Sequence, residues 1–261
     1  MGGAPELAVA EQACGGDGDD RGDGCGKARD LPTGIALLWG EQDQPARGPK
    51  PSLTPQRIAE AAVTLADAEG LETVSMNKVA AEFGVSAMAL YRYVPGKTEL
   101  VELMVEAVLA EPPDLSAAGS GWRPRLSAWA HRQCGVYQAH PWLLAATAMR
   151  RQIMGPHQLA WMDAALAALE PTGLTAGQRH QVFLLIAGQV RNLAQQRADF
   201  DEDHNREWGR LTSELLNRHS NRFPALTKAI ADGAFTSTEL DPLDFGLDRI
   251  LDGVQVLIDR G

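Results

Sequence analysis

The sequence predicts an all-α protein: a helix-turn-helix three-helix domain followed by a larger helical domain. Apolar residues recur at three-and-four spacing from Thr54 almost to the carboxy terminus. Thr, Ser, Asp, Pro and Gly fall where helix starts and stops need them. No alternating apolar–polar run of useful length is present, so no strand is expected, and no internal repeat is visible.

Residues 1–45 read as a largely disordered extension. Their core, EQACGGDGDDRGDGCGKARD, cannot bury enough apolar surface to offset the entropy of ordering it. DGDDRGDG is not a calcium loop: Arg21 stands at its fifth position and Ala28 at its twelfth, where the bidentate Glu belongs. TGIALLWG is a short apolar knot (Ile35, Leu37, Leu38, Trp39) expected to dock on the main body. Residues 46–53, around Arg47-Gly48-Pro49-Lys50-Pro51, suit a basic, extended, proline-rich arm.

Thr54 and Pro55 then open a helix carrying Ile58, Ala61, Ala62, Leu65 and Ala66, which Gly70 ends. Ser75 caps a second helix with Met76, Val79, Ala80 and Phe83, stopped at Gly84. Ser86 caps a third, from Ala87 to about Tyr93, before the Pro95-Gly96 break. Thr98 starts a fourth, to about 109, with Leu100, Leu103, Met104, Ala107 and Val108 on one stripe. Past Pro112-Pro113, helical segments are expected near 122–139, 141–149, 156–169, 177–198, 207–232 with a break near Pro224, and 242–259 behind an Asp241 cap.

With 261 residues and 44% hydrophobic content the chain can bury a substantial core. No apolar run approaches the roughly 20 residues of a membrane span, and the amino terminus lacks the pattern of a secretory signal. Cys14, Cys25 and Cys134 form no disulfide framework, which suits a reducing cytosol and predicts a cytoplasmic protein. The net charge of −10 weighs mildly against a nucleic-acid partner, although one basic face suffices to bind phosphates.

The stretch VSAMALYRYVPGKTEL, 85–100, carries the candidate chemistry. Two short helices joined by Gly84-Val85 have the dimensions of a helix-turn-helix, whose later helix enters the major groove. Small residues at its start let the backbone approach base edges. Ala87, Met88 and Ala89 could meet thymine methyls, and Ser86 or Asn77 could supply hydrogen bonds. Tyr91, Tyr93 and Lys97 stand where phosphate contacts are expected. Spacing alone equally allows ordinary packing, with Leu90 and Val94 in the core.

The run I-x-x-A-A…G-x-x-x-x-S, V-A-x-x-F-G-V-S, A-L-Y-R-Y-V and G-K-x-E-L, over residues 54–101, resembles the amino-terminal domain of the TetR family of transcriptional repressors. The resemblance covers about a fifth of the chain. It implies that Ser75 and Asn77 touch phosphate or bases with Lys78 close behind. It also implies that Ser86, Ala87, Met88 and Tyr91 face DNA, and that Tyr93 and Lys97 clamp phosphates. Arg92 either points at DNA or braces the fold. The weak polarity of Ala87-Met88-Ala89 departs from the commoner pattern and implies more shape and methyl readout. Some relatives carry an ordered arm before the first helix. Arg47 and Lys50 are similar to arginine-rich arms in narrow minor grooves, and otherwise form a plain spacer. The family also implies a homodimer through the helices near 177–198 and 243–258, on palindromic double-stranded operator DNA. The other reading of those stripes is burial within their own domain.

Residues 101–261 show no catalytic, metal-binding or phosphate-loop constellation, so neither enzyme nor cofactor is expected. They hold a dense set of large soft side chains: Trp122, Trp129, Tyr137, Trp142, Met149, Met154, Trp161, Met162 and Phe183. Gln133, His140, Gln189 and Asn192 are interspersed. Individually such residues are ordinary core; as a set they suit an apolar cavity for a small hydrophobic or aromatic effector. The expectation is a ligand-responsive repressor controlling an exporter or biosynthetic genes. The alternatives are an activator or global regulator without an effector, and a helical protein-binding module.

Overall fold

A computed structural model describes residues 33–40, 53–148, 155–198, 202–234 and 241–260, without the side chains at 33, 202–206 and 208. Among the described residues there are helices and no strand. Helix α1 (Thr33–Leu38) precedes a head made of α2 (Pro55–Glu69), α3 (Met76–Glu82) and α4 (Ala87–Leu90). Helix α5 (Lys97–Val108) leads into α6 (Trp122–Ala139), α7 (Leu143–Ala146), α8 (Pro156–Leu169) and α9 (Ala176–Ala198). The chain ends with α10 (Glu202–Arg218), α11 (Pro224–Ala231) and α12 (Pro242–Asp259).

Local signals set the head. Thr54 Oγ1 accepts the Arg57 N–H at 3.2 Å, and Ser75 Oγ accepts the Lys78 N–H at 3.2 Å. Gly70, at φ 88°, turns the chain out of α2 while its N–H still bonds to the Ala66 carbonyl. Helix α2 lies along α5, with Ile58, Ala62, Val74, Val79, Leu90, Val94, Leu100 and Met104 fully buried between the head helices. In the larger domain α9 is central and packs on α6, α8 and α12 around Leu126, Leu169, Ile186 and Leu251. Asp241 caps α12, its Oδ1 accepting the N–H groups of Leu243 and Asp244 at 2.7 and 3.1 Å. Those two bonds, the Asp244 one foremost, hold its carboxyl below the usual carboxylate range.

The structure differs from the sequence expectation at four places. The apolar knot of the amino-terminal extension docks as expected, with Leu37 and Leu38 buried beside α5, but it does so as a helix, α1. A helix of 6 residues cannot persist on propensity; burial, at roughly 1.5–3 kcal/mol per leucine side chain, holds it. Helix α4 stops at Leu90 and continues as a tight turn through Tyr93, whose N–H bonds to the Leu90 carbonyl. The segment near 141–149 contracts to the single turn of α7. The 207–232 segment starts earlier, at Glu202, and splits at a 3-10 turn (Ser220–Arg222), because Pro224 starts α11 instead of continuing α10.

Candidate nucleic-acid interface and effector cavity

The α3–α4 turn is a Schellman closure: Val85 N–H bonds to the Ala80 carbonyl at 3.1 Å and Gly84 N–H to the Ala81 carbonyl at 3.0 Å. Gly84 supplies the left-handed residue, φ 64°. This turn aims α4 outward. Met88 is 74% exposed and Tyr91 46% exposed, large apolar surfaces that α4 leaves in water. Ser86 is exposed and makes no capping bond, while Ala87 and Tyr93 are half-buried against the core. Asn77, Lys78, Arg92 and Lys97 are exposed on the same short segment of chain.

Two expected contacts have prior engagements. Ser75 spends an oxygen lone pair on its cap, which leaves its hydroxyl proton to donate. Lys78 Nζ lies 2.8 Å from Glu69 Oε2, an exposed pair weak enough to be exchanged for a phosphate. Lys97 occupies the first position of α5, with Glu99 in the same turn, so the lysine itself is the attraction for an anion there. Arg47 and Lys50 lie outside the described residues.

A cavity of about 360 Å³ opens among α6, α7, α8 and α9. Of the residues expected there, Trp129, Gln133, Tyr137, Trp161, Met162 and Phe183 line it. Trp129 meets Phe183 edge-to-face at 5.7 Å and Trp161 at 6.3 Å between ring centroids. Both indole N–H groups are occupied, Trp129 Nε1 donating to the Trp161 carbonyl at 2.9 Å and Trp161 Nε1 to the Leu109 carbonyl at 3.0 Å. The rings therefore present apolar faces and edges to the space. Leu109 is the C-cap of α5, so one cavity wall is bonded to the end of the helix that leaves the head.

Five expected residues do not line this cavity. Trp122 packs half-buried against the core at the start of α6. Gln189 faces α12, its amide filling the space beside Gly246, and Asn192 is exposed. Trp142 is buried at the junction with the head instead. His140 shares that junction. Met149 and Met154 lie outside the described residues.

The junction is the feature that sequence reading missed. Asp67 Oδ1 of α2 accepts the Trp142 Nε1–H at 2.6 Å and lies 2.8 Å from His140 Nδ1. Trp142 precedes α7, and α7 is held from the other side by Arg191, which donates to the Leu144 carbonyl at 2.7 Å and to Thr147 Oγ1. Arg191, Thr147 and Leu143 all line the cavity. Phe183, Ala187 and Arg191 recur at four-residue spacing on α9, which is the signal that could have found Arg191. A second tie joins α5 to α8. The carboxylate of Glu106, 5% exposed, accepts the backbone N–H groups of His157 at 2.8 Å and Gln158 at 3.2 Å, capping α8 from 51 residues away. Gly155 is required there, since a Cβ would fall 2.2 Å from Glu106 Cδ.

Among the described residues no group of three His, Cys, Asp or Glu stands close enough to hold a metal ion. No described helix is long and apolar enough to cross a membrane.

The comparisons agree with this geometry. Residues 58–104 match the family model of bacterial regulatory proteins of the tetR family, and residues 115–258 match the tetracyclin repressor-like C-terminal domain. The HTH-type transcriptional repressor DrrR1 of Streptomyces coeruleorubidus is 38% identical over 242 residues, covering 88% of this chain and 87% of its own. An HTH-type transcriptional regulator of Saccharopolyspora erythraea is 34% identical over 136 residues, 52% of this chain and 57% of its own. Among solved structures, ActR of Streptomyces coelicolor in complex with actinorhodin shares the fold at a TM-score of 0.64 and 24% identity, covering 78% of this chain and 96% of that one. A head that exposes a helix-turn-helix, a helical body behind it and a repressor relative along most of the length lead to one conclusion: the chain belongs to the TetR family of DNA-binding transcriptional repressors.

Proposed function

We propose that the protein binds a palindromic operator as a homodimer and is released from it by a small hydrophobic, aromatic effector held in the α6–α9 cavity. The observation that carries this reading is the bonding between cavity wall and head: Trp161 to the end of α5, and Arg191 through α7 and Trp142 to Asp67 of α2. A ligand that moves either wall pulls on a helix of the head. Typical couplings of about 1–3 kcal/mol would weaken operator binding by roughly 5- to 150-fold. The open cavity supports an effector over a regulator without one. A protein of the same fold, ActR, is known in complex with actinorhodin, which supports the same reading.

In the DNA-bound state, Ser86, Ala87, Met88 and Tyr91 face the groove. Asn77, Ser75, Lys78, Tyr93 and Lys97 meet the backbone, and Arg92 joins whichever side its phosphate offers. Arg47 and Lys50 add minor-groove contacts. The dimer forms through α9 and α12, where Leu185 (58% exposed), Phe245 (49%) and Val256 (47%) leave an apolar face open on the single chain. A two-fold there sets the reading helices about one DNA turn, ~34–36 Å, apart. Genes for an exporter or for biosynthesis are the proposed targets. An electrophoretic shift with the DNA upstream of the protein's own gene tests the reading: a dimer-sized, salt-sensitive complex is expected. Absence of any shift at micromolar protein and low salt would contradict it.

A further inference from the structure

We infer that the effector is an aromatic acid, and that Arg191 is the residue that recognises its anionic group; this rests on the effector reading above. Among the described residues lining the cavity, Arg191 carries the one formal charge, and no Asp or Glu faces it. The walls around it are aromatic and aliphatic. Their indole donors are already consumed by the Trp161 and Leu109 carbonyls, so they offer shape and no polar preference. A half-buried guanidinium in such surroundings selects strongly by charge: it attracts a carboxylate, sulfonate or ionised phenol and repels a cation.

The present partners of Arg191 are neutral. It donates to the Leu144 carbonyl and the Thr147 hydroxyl, both on the α7 segment. Its guanidinium has five N–H donors, so an entering anion can share it. Charge-assisted bonds are roughly twice as strong as bonds to neutral acceptors, so the anion competes well for the same fork. An anion that draws the guanidinium toward itself pulls on the two bonds that hold the α7 segment. That segment carries Trp142 onto Asp67 of the head. The same contact that binds the acid therefore loosens the wall that positions α2.

The test uses the full chain and two fluorescent probes with the same ring skeleton, 1-anilinonaphthalene-8-sulfonate and the uncharged N-phenyl-1-naphthylamine. The intact protein is expected to bind the sulfonate about tenfold more tightly than the neutral probe, the effect of one charge-assisted pair. Arg191→Met and Arg191→Gln should each abolish that preference by weakening the sulfonate far more than the neutral probe, and Arg191→Lys should retain part of it. Retained binding of the neutral probe shows that the variants still form the cavity. Equal binding of the two probes by the intact protein, or an unchanged preference in both Arg191 variants, overturns the inference and leaves the effector reading standing. Ala187→Trp, which fills the cavity, should remove both probes; if it binds both as the intact chain does, the cavity is not the effector site and both readings fall.

Discussion

The head and the cavity are held together in opposite ways. Each helix of the head starts or stops on a neighbour in sequence: Thr54 on Arg57, Ser75 on Lys78, Val85 on Ala80. The cavity is held by bonds between distant residues, Trp129 to Trp161, Trp161 to Leu109 and Arg191 to Leu144. A locally closed head with a fully buried core moves as a body, whereas a wall tied across helices changes when any of its ties changes. In the proposed function sensing falls to the second region and reading to the first, with Asp67 and Glu106 between them.

The largest expected effect separates the regions by stability. Glu106→Ala leaves the α8 start without its cap and should cost about 1–3 kcal/mol, a drop of several degrees in Tm. Lys97→Ala on the head should leave Tm nearly unchanged, because surface substitutions cost within about 0.5 kcal/mol. On DNA the order reverses. Lys97→Ala should lower the slope of log affinity against log salt by about one, the signature of a lost phosphate contact. An unchanged slope would remove Lys97 from the interface.

The tie at the junction should show as coupling. Asp67→Ala and Trp142→Phe each remove one partner of the same hydrogen bond, so their effects on Tm should be non-additive by about 0.5 kcal/mol or more. Additivity within error would mean that Asp67 acts through His140 alone.

The smallest effect is electrostatic. Glu102 on α5 has its carboxyl pushed above the usual range, first by burial and then by Glu99. A raised folded-state value means that ionisation opposes folding. The penalty is full at neutral pH and disappears as pH falls below the unfolded value, near 4.3. Glu102→Gln should therefore raise Tm slightly at pH 7 and not at all at about pH 3.5. Gly34 of α1 lies over the same site, a Cβ there falling 3.8 Å from Glu102 Oε2, so loss of α1 should relieve part of the burial.

What could be read in advance follows the same division. The caps at Thr54, Ser75 and Asp241 and the breaks at Gly70 and Gly84 were legible because each closes within a few residues. So were the aromatic wall residues Trp129, Trp161 and Phe183, as a composition. Trp142 has the same composition and a different place, because its indole found Asp67 75 positions away. Asp67 and Glu106 gave no local sign, since a polar residue on a helix acquires its role only from what packs against it; Arg191 showed only through its four-residue spacing from Phe183 and Ala187. The docking of Leu37 and Leu38 was legible from the apolar knot, whereas its place on α5 and its helical form were not, since a segment this short shows neither its partner nor a helical period.

The central claim is that filling the cavity weakens DNA binding through these ties. Its direct test is to find, by tryptophan quenching, an aromatic acid that binds the intact protein saturably, and then to measure operator affinity with the cavity saturated. The account predicts a loss of roughly 5- to 150-fold in the intact protein and a smaller one in Asp67→Ala, which removes the acceptor of the Trp142 indole. A ligand that saturates the cavity and leaves operator affinity unchanged would contradict it.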